Sequence, residues 1–365
     1  MVSIVVDNVF ASASIHVVAY LDGAMTPALG GRVTITDVAR TAGVSIATVS
    51  KVINGRYGVA AGTSQRVQQV IDDLGYESSL VARSLRSHRT NVVGVLVAEF
   101  EPFSTEILKG TSDAITGSGY ELLAYSGGGR TGEDVGWERR YLSRLSGTLI
   151  DGAVLVTPTV HSPGGSVPVV AIDPHAGPAG TPTVDADNFA GGAMATEHLL
   201  GLGHRRIALL GGRPDLESAR LREEGYRAAH ASAGVPVDPC LVRVGGYRRQ
   251  TALAPARELL SLAHPPTAVF AANDLSAIGV LEVAAEMGLS VPQDLSVIGF
   301  DNIPESALTS PPLTTVEQPL REMGARAVTM LLQLLAGSPA PAPGEPAAHV
   351  QMPTRLVERG STRPL

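Results

Sequence analysis

TITDVARTAGVSIATVSKVIN, running from Thr34 to Asn54, reads as two short helices pinched around Gly43. Thr36 is expected to cap the first, with Asp37 in its opening turn and Val38, Ala39 and Ala42 forming an apolar face. Gly43-Val44 supplies the turn, and Ser45 caps a second helix. On that helix Val49, Val52 and Ile53 fall at i, i+3 and i+4 and should face inward, while Ile46, Ala47, Ser50 and Lys51 share the opposite face. An isoleucine beside an alanine at the solvent-facing start of a helix has no core to bury it. A helix-turn-helix gives the pattern a reason, because the start of its second helix meets base edges in the major groove. The alternative is an ordinary αα-hairpin whose exposed isoleucine is incidental.

Working outward, residues 55–61 form a polar, glycine-bearing loop, and Thr63 is expected to cap a third helix. There Val67, Val70, Ile71 and Leu74 repeat at i, i+3, i+4 and i+7 before Gly75. Three such helices make a headpiece with a very small core. SLVARSLRSHRT (79–90) follows as a helical stretch whose apolar residues have no partner within the headpiece. Between Arg32 and Thr90, eight Lys/Arg stand against four Asp/Glu, a balance of +4. The whole chain carries −7, and Asp7 and Asp22 precede the headpiece, which leaves −9 beyond Thr90. A basic end on an acidic body suits a protein that presents one face to phosphates.

Beyond Asn91, apolar strand-like runs alternate with helical ones. NVVGVLVAE (91–99), YELLAYS (120–126), DGAVLVT (151–157) and VPVVAID (167–173) are followed by RIALLGG (206–212), VRVGG (242–246), AVFAAND (268–274) and LSVIGFDN (295–302). Helices are expected at 106–118, 137–145, 188–202, 217–233, 250–262 and 275–287. This alternation implies parallel sheets with right-handed crossovers. With 365 residues and 44% hydrophobic content, two or three domains with sizeable cores are available. Pattern alone equally allows one large doubly wound enzyme.

The chain from about Val33 to Arg359 resembles the lactose/purine repressor family of bacterial transcriptional regulators. The resemblance rests on the 34–54 headpiece, the hinge VARSL (81–85), GHRRIALLGG (203–212), SARLREEGYRAA (218–229), FAAND (270–274), VPQDLSVIGFDN (291–302) and SPPLTTVEQP (310–319), in that order and spacing. It implies an α/β protein: a small all-α helix-turn-helix headpiece with a hinge helix, then two doubly wound parallel-sheet subdomains of periplasmic-binding-protein-like type. The implied division is an extension at 1–31, read as disordered, a headpiece at 32–78, a hinge at 79–90 and an effector-binding, dimerising body at 91–365. Within the body, the first subdomain covers 91–186 plus 319–337, and the second 187–316 plus 346–360. Three crossings join them, placed near 184–188, near 315–319 and in the Pro/Ala-rich stretch 337–348.

By the same resemblance the hinge folds on operator DNA and levers Leu85 between base pairs in the minor groove. Packing against Leu80 or Val81 in a dimer is its alternative role. The DNA-facing set is Thr36, Ser45, Ile46, Ala47, Thr48, Ser50, Lys51, Asn54, Ala82, Leu85 and Arg86. Ile46 and Ala47 offer methyl surface to thymines, Lys51 is the polar base reader, and Thr48 and Ser50 hold phosphates. The expected partners are pseudo-palindromic double-stranded operator DNA, a second copy of the chain in a homodimer and a small-molecule effector, first of all a mono- or disaccharide, with a purine or phosphosugar second. The expected location is the cytoplasm.

Ligands in open α/β folds sit beyond the carboxyl ends of the strands, which nominates Asp173, Asn273, Asp274 and Asp301. Carboxylates and amides engage sugar hydroxyls, and an arginine such as Arg222 forks two donors to one pair of oxygens. The resemblance matches Asp173, Arg222, Tyr247 and Asp301 closely to effector positions, and Phe103 and Asn273 more loosely. Each has a structural alternative: Asp301 can cap the turn before Ile303, and Arg222 can pair with Glu223 or Glu224.

Catalysis is not expected. The three aspartates offer no matched acid and nucleophile, the nine histidines lack zinc-ligand spacing, and GGGR (127–130) lacks the Lys-Ser/Thr of a P-loop. No metal or cofactor is expected. Single Cys240 excludes an internal disulfide and points to a reducing compartment. Residues 1–31 carry Asp7 where a signal peptide needs basic residues, no Lys or Arg precedes Arg32, and Met25 offers an alternative start. No apolar run reaches membrane-spanning length.

Overall fold

The structure, a computed structural model, describes residues 16–17, 33–53, 57–76, 89–127, 135–160, 166–178, 180–337 and 347–365. Asn54, Ala82, Leu85, Arg86, the GGGR stretch beyond Gly127 and nearly all of 1–31 lie outside the described residues. The chain divides into a small unit built around residues 33–76 and a large unit holding nearly everything from Asn91 onward.

Among its described residues the small unit has three helices, α1 (Ile35–Ala42), α2 (Ile46–Ile53) and α3 (Ala61–Leu74). Val38, Ala39, Ala42, Val49 and Val67 are its buried core, flanked by partly buried Val52, Ile53, Val70, Ile71 and Leu74. Gly43 and Gly75 close α1 and α3 in the left-handed conformation at φ +65° and +58°. Two expected caps are corrected. Thr34, not Thr36, caps α1 in a reciprocal capping box with Asp37, because Ile35 is already helical. Ala60 precedes α3, which begins two residues before Thr63, so no side chain caps it. Ser45 does cap α2: its Oγ accepts from the Thr48 amide at 3.1 Å.

The large unit holds two sheets. Strands β1 (His16–Val17), β2 (Val92–Val97), β3 (Glu121–Ser126), β4 (Gly152–Val156), β5 (Val169–Ile172), β6 (Thr183–Ala186) and, late in the chain, β12 (His349–Met352) form the first. Its order is β1-β3-β2-β4-β5-β6-β12, parallel throughout. The second comprises β7 (Ile207–Gly211), β8 (Val242–Val244), β9 (Ala268–Ala271), β10 (Ser296–Asp301), β11 (Thr314–Glu317) and β13 (Arg355–Val357). Its order is β13-β11-β10-β9-β7-β8, and only β13 runs antiparallel to its neighbour. Central strands are buried along their full length, β2 at six positions and β4 at five, as helix-covered parallel sheets require.

Seven helices cover these sheets: α4 (Pro102–Ile115), α5 (Trp137–Leu145), α6 (Asn188–Gly201), α7 (Glu217–Ser232), α8 (Arg249–Leu260), α9 (Asp274–Glu286) and α10 (Leu320–Leu335). α4 starts one turn before the expected Glu106, because Pro102 occupies its first position, where the missing N–H costs nothing. Leu320, Met323, Ala327, Val328 and Leu331 of α10 pack into the first sheet's core, so the second crossing lies at Gln318-Pro319, as expected. The first crossing lies at Asp187, between β6 and α6. The third is corrected. β12 pairs with β6 in the first sheet, so the chain returns to the second sheet only at Pro353-Thr354, after the Pro/Ala-rich stretch. Residues 349–352 accordingly belong to the first subdomain. A four-residue strand that is half exposed carries too little apolar pattern to be read in advance.

Candidate functional site

Six loops at the carboxyl ends of strands meet between the two sheets. Glu101 and Phe103 follow β2, Thr157 follows β4, Asp173 follows β5, Tyr247 follows β8, Asn273 follows β9 and Asp301 ends β10. With Arg222, Leu275 and Ile303 they line one open pocket. All six residues named from the sequence as effector contacts, Phe103, Asp173, Arg222, Tyr247, Asn273 and Asp301, are therefore brought together. Glu101 and Thr157 were missed, although the strand-end rule nominates Thr157, which directly follows β4.

Backbone strain marks the site independently. Among the described residues six non-glycines have positive φ, and four line the pocket: Thr157 (+50°), Asp173 (+47°), Tyr247 (+64°) and Asp301 (+108°). L-residues adopt such angles at a cost of about 1–3 kcal/mol each, and structures concentrate that cost where side chains must be aimed.

Arg222 is the hub. Only 2% exposed, it donates from Nε to Asn188 Oδ1 at 2.8 Å and from Nη1 to the Ala272 carbonyl, and its Nη1 lies 3.5 Å from Asp301 Oδ1. Its guanidinium also lies 3.8 Å from the Phe300 ring centre and 5.3 Å from that of Tyr247. Glu223 and Glu224, its sequence neighbours, face Arg227 and Arg220 instead. A close approach of α6 to α7 holds this geometry: a Cβ at Gly192 would stand 2.4 Å from the Arg222 carbonyl oxygen. Gly212 does the same for Tyr247, whose ring atom Cζ would lie 2.4 Å from a Cβ there.

Asn273 and Asp274 divide differently from expectation. Asn273 Oδ1 accepts from the Ser276 amide at 2.9 Å, capping α9, and Nδ2 donates to the Tyr247 carbonyl at 2.9 Å. Most of its amide is thereby spent fixing Tyr247. Asp274 is wholly buried and accepts from Thr315 Oγ1 at 2.6 Å and from the Ile303 amide at 2.9 Å. Thus Asp274, not Asp301, satisfies the turn before Ile303. Asp301 is left free for Gln318 Nε2 at 2.7 Å and for Arg222.

The carboxylates are electrostatically loaded. Burial raises Asp173 and Asp301 to about 6, against the pull of Arg222 on both. Burial, then the charges of Asp301 and Glu99, lifts Glu101 to about 7. Each group holds its proton more tightly folded than unfolded, so each contributes a loss of stability as pH rises from about 4 to 7. Next to Tyr247, Arg248 Nη2 donates to Glu99 Oε1 at 2.9 Å, joining the two subdomains.

In the small unit, α2 presents Ile46 at 48% exposure together with exposed Ala47 and Lys51, while Val49 is fully buried. Thr48 and Ser50 are half-buried, and the hydroxyls of Ser45 and Thr48 lie 2.9 Å apart. Thr36 is exposed in the first turn of α1. The outward and inward faces of α2 thus fall as the spacing of the sequence implies.

Two family models match the chain: bacterial regulatory proteins, lacI family, over residues 34–79, and a periplasmic binding protein-like domain over residues 196–362. The ribose operon repressor of Escherichia coli (strain K12) is 34% identical over 90% of this chain and 99% of its own length. The transcriptional repressor PurR of Aliivibrio fischeri (strain MJ11) is 35% identical over 82% of this chain and 91% of its own. Among solved structures, the lac repressor dimer bound to operator and the anti-inducer ONPF superposes with a TM-score of 0.75 at 28% identity, covering 91% of this chain and all of that one. The headpiece helices, the two open sheets and the loaded pocket between them therefore have one explanation: the chain belongs to the lacI family of bacterial regulatory proteins and is a DNA-binding transcriptional regulator.

Proposed function

We propose that this regulator is a homodimeric, cytoplasmic repressor without catalytic activity, whose operator affinity is set by a neutral mono- or disaccharide in the Arg222 pocket. The observation that carries the reading is the convergence of Asp173 and Asp301, both on strained backbone, and of Glu101 with a single guanidinium. Hydroxyls both donate to carboxylates and accept from arginine, so a polyol matches this set on every side. The ribose operon repressor among the relatives favours a small sugar. PurR, by its name a repressor too, raises a purine as second reading. Against it, Arg222 already covers one face of both Phe300 and Tyr247, which leaves little free aromatic surface for a flat base.

On the DNA side, two headpieces read two half-sites of a pseudo-palindrome, with Ile46 and Ala47 on thymine methyls and Lys51 as polar reader. Leu85 of the hinge wedges the central minor groove. Whatever factor the sugar applies to operator affinity, the operator applies to sugar affinity. The test is binding of the purified protein to DNA from around its own gene, titrated with salt and repeated over a panel of sugars. Saturable, salt-sensitive binding to one palindrome, shifted by one sugar, is expected. Sugar-insensitive binding, with no sugar bound by calorimetry, sinks the reading.

Ligand hydroxyls donating to Asp173 and Asp301 favour the ionised carboxylates and pull both below about 6. Binding near pH 6 is therefore expected to release protons, and affinity to rise from pH 5 to 7 and then level off. Calorimetry at pH 6 in buffers of different ionisation heat measures this directly. Proton uptake would contradict it.

A further inference from the structure

Glu101 stands at the N-cap position of α4, yet makes no capping hydrogen bond. Residues that cap well are Ser, Thr, Asp and Asn, so a glutamate there is not explained by the helix. Among the described residues no hydrogen bond reaches its carboxylate, although it lines the pocket. Arg248, the cation among the described residues that pulls the other way, is already paired with Glu99 at 2.9 Å. Asp301, from the opposite subdomain, is the charge that works against it most strongly. Arg222 offers no relief, because its Nε serves Asn188 and its Nη1 serves Ala272 and Asp301. The lining thus sets three carboxylates against one guanidinium whose donors are largely engaged.

We propose that Glu101 is a specificity-determining residue: it admits ligands that bring a hydroxyl or ammonium donor to the first-subdomain wall and rejects those carrying negative charge, phosphorylated sugars above all. This rests on the reading of the pocket as a sugar site. It separates free sugars from their phosphate esters, two effector classes that the fold itself does not distinguish. A phosphate entering the pocket would add like charge beside Glu101 and Asp301 in a partly desolvated space, where such repulsion is weakly screened.

The experiment is calorimetric titration of the full chain at pH 8 with ribose and ribose 5-phosphate and with glucose and glucose 6-phosphate. Two variants accompany it, Glu101→Gln, which keeps shape and removes charge, and Glu101→Ser, which gains a capping hydroxyl and so should fold at least as well. The wild type is expected to bind one free sugar and to reject its phosphate by about 100-fold or more. Both variants should narrow that gap by about tenfold, the scale of one removed like charge, read as the ratio of the two affinities within each protein. Equal wild-type affinity for both forms, or a gap unchanged in both folded variants, overturns the assignment of Glu101 alone. No binding by either series overturns the sugar reading and this proposal together.

Discussion

Replacing Arg222 by methionine is expected to abolish the response to the small-molecule effector, lowering its affinity by about 100-fold or more while the headpiece still binds DNA. Truncating one member of a buried, hydrogen-bonded charge pair costs about 2–5 kcal/mol, and about 1.4 kcal/mol is tenfold in affinity. The substitution leaves Asn188 Oδ1, the Ala272 carbonyl and Asp301 without the donor that now serves all three. It also removes the planar group lying against Phe300. Lysine should not rescue, since one ammonium cannot reproduce a forked contact to an amide oxygen, a carbonyl and a carboxylate. The loss should depend on pH. Without Arg222, Asp301 is pushed further above its present value of about 6, so its burial is tolerated at pH 5, where it is neutral, and penalised at pH 8. Urea melts of the large unit at those two pH values should show the greater destabilisation at pH 8. Binding within threefold of wild type, or equal destabilisation at both pH values, would show that Arg222 is not the hub.

The strands carrying the site were legible because they are buried on both faces. A parallel strand covered on each side reads as an unbroken apolar run, as VVGVLV (92–97) and GAVLV (152–156) do, and the polar residue ending the run marks the pocket. Asp173 and Asp301 were found this way. Two edges were not legible: β12 and β13 have four and three residues and are half exposed, so neither length nor pattern distinguishes them from loop. That hid the third crossing at Pro353-Thr354. Glu101 escaped for a different reason. It lies beyond the end of its strand and beside a proline, where a glutamate reads as an ordinary helix start, and only the lack, among the described residues, of a hydrogen bond to its carboxylate singles it out. Conversely, Asn273 was named for its position and turned out to be largely occupied, because the amide that ends β9 also begins α9. Position at a strand end was readable in one dimension. Competition for each donor and acceptor was not.

Placing a carboxylate in the headpiece core, Val49→Asp, is expected to eliminate specific DNA binding, by about 1,000-fold or more, while leaving sugar affinity within twofold. Val49 is fully buried, and the whole core of that unit consists of five buried residues. Units below about 70–80 residues rarely hold more than about 3–5 kcal/mol of stability, and an unpaired buried carboxylate costs several kcal/mol unless it takes up a proton. The headpiece should therefore unfold alone, since among the described residues that core is built from residues 33–76. Loss of one melting transition with the other unmoved, followed by calorimetry and circular dichroism, would report this. A companion change separates folding from reading. Ile46 is 48% exposed at the start of α2, so Ile46→Ser removes methyl surface with little effect on the core. It should keep the headpiece folded and weaken specific binding by about 1–3 kcal/mol, the usual cost of one lost base contact, while non-specific affinity and its salt dependence stay the same. Retention of full operator affinity by the unfolded Val49→Asp headpiece would mean that DNA is read elsewhere in the chain. Equal loss of specific and non-specific binding in Ile46→Ser would mean that α2 touches only phosphates.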